Sequence, residues 1–185
     1  KGRLKKLVMA GCLTQRYSDQ LSQELPEVDL FVGTGEYPKI VEFLERESEK
    51  IQVGRPSALP DEESPRLLTT PKHYAYLKLA EGCQHSCSFC IIPKLRGPLR
   101  SRSIESLVAE TKMLLAQGVK EFNLIAQDST GYGRDKKNGT TLLRLFDSLV
   151  NLKGEKWFRL FYAYPHGFPM EVVYWFILFC FYIYL

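Results

Sequence analysis

The chain has 185 residues, 45% of them apolar and 25% charged; this excludes a disordered tail and suffices for one full domain or two small ones. Its five cysteines are too few for a disulfide-dense secreted scaffold, and no basic-then-apolar signal segment opens it, so a reducing, cytoplasmic setting is expected. The net charge of +4 is unevenly spread, with 11 basic against 12 acidic residues before Tyr74 and 14 against 9 from there on.

Taken in chain order, Leu7 to Ala10 is an apolar run ending in Gly11-Cys12, which reads as a buried strand meeting a loop, as strands of parallel sheets end. A polar helical stretch follows from Gln15 to Leu25 and stops at Pro26. Leu30-Phe31-Val32 predicts a second strand closed by Gly33-Thr34-Gly35, and Ile40, Val41, Phe43 and Leu44 recur at helical spacing behind Pro38. Strand, helix, strand, helix with short connections is the pattern of a layered αβ domain. From Gln52 to Lys72 the periodicity lapses among Pro56, Pro60, Pro65 and Pro71 and the acidic cluster Asp61, Glu62 and Glu63, which predicts a linker.

Order resumes at Tyr74 with a strand to Ala80 and a cysteine-rich loop. Ile104 to Gln117 reads as a helix with Leu107, Val108, Leu114 and Leu115 on one face, Ser103 as its cap, Glu105 at its positive end and Gly118 at its stop. Phe122 to Ala126 is the next buried strand; a helix carrying Leu142, Leu145, Phe146 and Leu149 and a third strand, Trp157 to Tyr164, follow it. The order βαβαβ implies parallel strands. From Val172 to Leu185 the chain runs 14 residues without a charge, short of the roughly 20 that a membrane span needs, so no membrane anchor is expected.

The most specific feature is Cys83-Gln84-His85-Ser86-Cys87-Ser88-Phe89-Cys90. Three thiolates within eight residues can converge on one soft metal centre. A structural zinc closes its tetrahedron with four ligands, and His85, the only nearby candidate, is awkwardly placed between Cys83 and Cys87. Three cysteines suit a cubane iron-sulfur cluster with one iron left open.

A C-x3-C-x2-C loop after a first strand, with an aromatic before the last cysteine, resembles the signature of radical S-adenosylmethionine enzymes. The resemblance implies that Cys83, Cys87 and Cys90 ligate a 4Fe-4S cluster whose open iron chelates the amino and carboxylate groups of S-adenosylmethionine, with Phe89 near the adenine. An electron from the cluster then cleaves the sulfonium, and the resulting 5′-deoxyadenosyl radical abstracts hydrogen from an unactivated carbon.

Glu81-Gly82 before the cysteines, and Ile91-Ile92-Pro93 and Arg96 to Arg102 after them, resemble the methylthiotransferases of that superfamily. Ile125-Ala126-Gln127-Asp128-Ser129-Thr130-Gly131-Tyr132-Gly133 and Gly33-Thr34-Gly35-Glu36-Tyr37 resemble its ribosomal-protein aspartate (RimO-like) branch rather than the tRNA-modifying one. Gly11-Cys12-Leu13-Thr14-Gln15-Arg16-Tyr17 resembles the last ligand site of the family's auxiliary cluster. A lone cysteine after a strand is otherwise a small buried apolar residue.

The implied fold is α/β: the C-terminal part of an amino-terminal methylthiotransferase domain (1–51), a linker (52–73), and an incomplete radical-SAM (β/α) partial TIM barrel (74–185), truncated at both ends. Residues 174–185 depart from the family and read as an aberrant apolar tail, so Cys180 is given no role. The implied substrate is an aspartate β-carbon of a small-subunit ribosomal protein, met alone or on a ribosomal particle, with an electron donor protein as second partner. A tRNA adenosine methylthiotransferase and a non-catalytic cluster-binding remnant are the alternatives, and the chain by itself is expected to lack methylthiolation activity.

Among weaker signals, Lys94, Arg96, Arg100 and Arg102 place four positive charges in nine residues, either a solvated face or a guide toward an anionic partner. Gln127 and Asp128 stand at the carboxyl end of a strand, where barrel enzymes place functional groups, and are assigned to cofactor binding. His166 reads as an ordinary surface histidine.

Overall fold

The computed structural model describes residues 3–46, 48–59, 66–166, 168–178 and 182–183. Its contacts divide the chain into two units: Lys1–Ala58 with His85–Gly97, and Leu59–Gln84 with Pro98–Leu185. Each is a mixed α/β unit built on a small parallel sheet.

In the first unit, β1 (Val8–Ala10), β2 (Leu30–Val32) and β3 (Ile51–Gln52) pair in parallel in the order β1-β2-β3. The middle strand is wholly buried, with Phe31 and Val32 fully enclosed. The expectation of a buried strand from Leu7 to Ala10 is corrected: β1 is the outer strand, half-buried with Ala10 exposed. Among the described residues it has a neighbour on one edge only. The first helix, α1 (Cys12–Glu24), starts three residues earlier than predicted, because Gly11 at φ +123° turns the chain straight from strand into helix. Pro38 lies in a 3₁₀ turn leading into α2 (Ile40–Glu45), and α3 (Ile92–Arg96) carries Pro93 in its first turn.

In the second unit, β4 (Tyr74–Lys78) opens the chain order, followed by β5 (Ala80–Glu81), β6 (Arg100–Ser101), α4 (Ile104–Ala116), β7 (Glu121–Ile125), α5 (Leu142–Val150), β8 (Trp157–Leu160), α6 (Met170–Leu178) and β9 (Tyr182–Ile183). The strands β4-β7-β8-β9 form one parallel sheet in that order. Alternation along the strands splits the sheet into two faces. One carries Ala75, Leu77, Phe122, Leu124, Phe158 and Leu160, which share a core with Leu107 and Leu114 of α4 and Leu145, Phe146 and Leu149 of α5. Enclosing each large member of that core is worth about 1.5–3 kcal/mol. The other face is polar: Tyr76, Asn123 and Arg159 stand side by side in the register, and Arg159 pairs with Glu121 at 3.1 Å.

The ends of α4 follow the predicted capping by Ser103 and Gly118, and α5 is capped by Thr141, which was not predicted. Ser103 Oγ accepts from the Ser106 N–H at 3.1 Å, Thr141 Oγ1 accepts from the Arg144 N–H at 3.2 Å, and Gly118 leaves α4 at φ +91°. Part of the expected linker is attached to the second unit: Leu68 packs against its core and Thr70 Oγ1 donates to the Tyr74 carbonyl at 2.8 Å. The acidic cluster Asp61 to Glu63 lies outside the described residues. At the carboxyl end, Met170–Leu178 is helical and Tyr182–Ile183 pairs in parallel with Arg159–Leu160; Cys180 lies outside the described residues.

Candidate metal centre

The cysteine loop leaves the second unit through a short stem. β5 and β6 pair antiparallel, Ala80 opposite Ser101 and Glu81 opposite Arg100, and the Arg102 N–H adds a bond to the Leu79 carbonyl at 3.0 Å. Glu81 is buried and paired with Lys78. Gly82, at φ +73°, turns the chain out of the stem in a conformation that side chains other than hydrogen resist.

None of the three cysteines of the loop is in a disulfide. Cys83 and Cys87 are half-buried and Cys90 is exposed. The Cys90 N–H donates to the Cys87 carbonyl at 3.1 Å, so the last two cysteines sit at the two ends of one turn. Phe89, in that turn, is 90% exposed, and His85 is half-buried. Among the described residues, no group of three or more Cys, His, Asp or Glu side chains is gathered at metal-holding distance. As a donor set the loop supplies three reduced sulfurs and one imidazole, and three sulfurs fit a cubane cluster with one open iron better than a closed zinc tetrahedron.

Gln127 and Asp128 follow β7 after Ala126. Gln127 is half-buried, and its Oε1 has no protein partner among the described residues. The Oδ1 of Asn123, a residue only 5% exposed, is in the same state. Asp128 is buried, and its Oδ1 accepts from Thr130 N–H at 2.9 Å and Thr130 Oγ1–H at 2.5 Å, capping the turn Ser129–Gly131.

In the first unit Cys12 is the opening residue of α1 and is half-buried. The two motifs read there from the sequence meet: Gln15 Oε1 accepts from the Thr34 N–H at 2.8 Å, and Gln15 Nε2 donates to the Gly54 carbonyl at 3.0 Å. Gly33 makes the room, since a Cβ there would stand 2.4 Å from Gln15 Oε1. Thr34 Oγ1 also donates to the Leu95 carbonyl at 2.5 Å, which ties α3 to the same loop.

The basic run after the cysteines is not one charged surface. Lys94 is exposed and Arg96 and Arg100 are half-buried, whereas Arg102 is 2% exposed and paired with the buried Glu110. Glu110 also holds Arg66. Arg66 donates to the Tyr76 carbonyl and Arg102 to the Lys78 carbonyl, so the two guanidiniums cover acceptors of β4, the outer strand of its sheet. The sequence carried a sign of this, since Glu110 falls on the helix face of Leu107 and Leu114. His166 is exposed, in keeping with its reading as a surface residue. No helix among the described residues is long and apolar enough to cross a membrane.

No family model matches the chain. Among curated proteins it is 52% identical over 170 residues to the ribosomal protein uS12 methylthiotransferase RimO of Pelobacter propionicus, covering 90% of this chain and 38% of that protein. Identity to the protein of the same name from Geotalea uraniireducens is 53% over 169 residues, 89% of this chain and 38% of that one. For the Geobacter sulfurreducens protein it is 49% over 170 residues, 90% and 38% respectively. The chain thus spans 38% of the length of these relatives, and the similarity to ribosomal-protein methylthiotransferases, read in the sequence from a few short motifs, extends along nine tenths of it.

Proposed function

From that similarity to uS12 methylthiotransferases, we propose that the chain carries the radical-generating part of a radical S-adenosylmethionine methylthiotransferase of the ribosomal-protein branch. In this reading residues 1–51 belong to an amino-terminal αβ domain, 52–73 link it onward, and the chain from 74 forms part of a (β/α) barrel. Cys83, Cys87 and Cys90 hold a 4Fe-4S cluster, and Cys12 is one ligand of an auxiliary cluster. The observation that supports it most is the loop itself: three cysteines outside any disulfide, between the arms of a two-residue stem, at the carboxyl end of a parallel strand.

When bound, the cluster supplies the electron that cleaves S-adenosylmethionine and so opens a C–H bond of the substrate to sulfur insertion. The chain's residues do the aiming. Phe89 offers an exposed ring for the adenine, Gln127 an unused acceptor for a polar group of the cofactor, and Asp128 fixes the turn that presents Gln127. The substrate is the β-carbon of an aspartate in the small-subunit protein uS12, reached in the cytoplasm alone or on the ribosomal particle, with a separate protein donating electrons.

The test is anaerobic reconstitution with iron and sulfide, followed by reduction in the presence of S-adenosylmethionine. About four irons per Cys83-Cys87-Cys90 site and formation of 5′-deoxyadenosine are expected, both lost in Cys87→Ala. Stoichiometric zinc with no visible absorption overturns the cluster. Iron without 5′-deoxyadenosine points to a non-catalytic remnant, and methylthiolation of tRNA rather than uS12 to the other branch.

A further inference from the structure

The cysteine loop is closed by very little of its own structure. Two residue pairs, Ala80 with Ser101 and Glu81 with Arg100, join its arms, and an isolated antiparallel pair of strands is marginal in water even when longer. Something else holds the returning arm, and it is the segment between β7 and α5. The Tyr132 hydroxyl donates to the Arg102 carbonyl at 2.9 Å, the Gly133 N–H donates to Ser101 Oγ at 2.9 Å, and Asp135 Oδ2 accepts from the Ser101 N–H at 2.9 Å. Ser101 is fully buried, and Arg102 and Tyr132 are each 2% exposed, so water does not compete for the bonds made by Tyr132 and Gly133; Asp135 is itself exposed and reaches Ser101 from the surface.

The same segment reaches the other way. The Ser129 N–H donates to the Tyr162 carbonyl at 3.0 Å and Ser129 Oγ donates to the Phe161 carbonyl at 2.6 Å. Gly133 is obligatory in this arrangement: its φ is +85°, and a Cβ would stand 2.3 Å from the Thr140 carbonyl oxygen. The stretch Gln127 to Gly133 therefore joins the stem of the cysteine loop to the end of β8.

We propose that Ser101, Tyr132, Gly133 and Asp135 form a brace that fixes the returning arm of the cysteine loop and so sets how firmly Cys83, Cys87 and Cys90 hold their cluster. This rests on the cluster reading given above. The four are positioning residues; they act through the stem and touch neither the cluster nor the cofactor. On this view the stretch that resembles the ribosomal-protein branch works on the cluster loop from behind.

The test uses the protein loaded anaerobically with iron and sulfide, and the variants Tyr132→Phe, Asp135→Ala and Asp135→Asn. Before metal is added, amide exchange at Ser101 and Arg102 quickens about fivefold in Asp135→Ala, the scale of one lost half-buried hydrogen bond. After loading, Asp135→Ala and Tyr132→Phe lose iron to a chelator several-fold faster than wild type, and the electron paramagnetic resonance signal of the reduced cluster broadens. Asp135→Asn, whose side-chain carbonyl still accepts from Ser101, recovers most of both effects. Should Asp135→Ala fail to fold, Tyr132→Phe carries the test, because it removes one oxygen and leaves the ring in place. Wild-type iron retention in the loaded variants overturns the brace, whether or not exchange has quickened. A wild-type protein that takes up no cluster overturns the proposed function and this inference with it, and is told apart because the wild type itself is blank.

Discussion

Glu110→Ala is the sharpest test of what holds the second unit together. Glu110 is 5% exposed and Arg102 2%, so removing the carboxylate strands a buried guanidinium that is always charged. It also releases Arg66, which keeps 28% of its side-chain exposure and can recover water; little of the cost arises there. Breaking a buried pair by deleting one partner costs about 3–5 kcal/mol. For a protein of this size that lowers the melting temperature by about 10 °C. The double variant Glu110→Met/Arg102→Met removes the buried pair together and leaves the Lys78 carbonyl, the Ser106 hydroxyl and the partly exposed Arg66 guanidinium short of a partner. It is expected to lose only about 1–3 kcal/mol. Urea unfolding of the wild type, the single variants and the double variant closes the cycle. A Glu110→Ala loss below about 1 kcal/mol, or a double variant no more stable than the single, refutes a buried, mutually dependent pair.

The contrast between Arg102 and its neighbours shows where sequence reasoning reached and where it stopped. Local periodicity was enough for α5, whose Leu142, Leu145, Phe146 and Leu149 are all buried, and for α4, where Ser103, Glu105 and Gly118 each do what their chemistry favours. The cysteine loop stood out because its C-x3-C-x2-C spacing is distinctive in itself. Burial of charge was not, because Arg102 reads as one more cation in a basic run until Glu110, eight residues on, is folded beside it. The start of α1 was missed for a similar reason: Gly11 looked like a loop residue, and only its φ of +123° shows that it delivers Cys12 directly into a helix. The brace was hidden more deeply. Tyr132 and Asp135 stand some thirty residues from the stem they hold, and nothing local in either residue signals a partner at that distance.

Three further outcomes follow from positions where backbone or burial leaves little freedom. Gly133→Ala is expected to destabilise by about 2–4 kcal/mol, since it combines a left-handed φ with a Cβ 2.3 Å from the Thr140 oxygen; a urea midpoint equal to wild type contradicts that geometry. Tyr162→Gly should stabilise by about 1 kcal/mol, because Tyr162 holds φ +59° while 61% exposed and gives up little packing; a fall in melting temperature refutes the strain. The third concerns pH. Burial pushes the Tyr132 hydroxyl well above the ordinary tyrosine value, and the nearby charge of Glu105 adds to the shift. Its folded pKa is therefore the higher one, so the contribution to stability is complete below the unfolded value of about 10 and falls as pH rises past it. Above pH 10 the unfolded chain releases this proton and the folded one keeps it, which costs about 1.4 kcal/mol per pH unit until the folded group also ionises. Tyr132→Phe lacks the group, so the stability of wild type relative to the variant must decline across pH 10 to 11, whatever the other tyrosines and lysines contribute to both. A difference between the two proteins that stays flat over that interval means that Tyr132 ionises as freely folded as unfolded, and that its hydroxyl is not the buried donor to the Arg102 carbonyl.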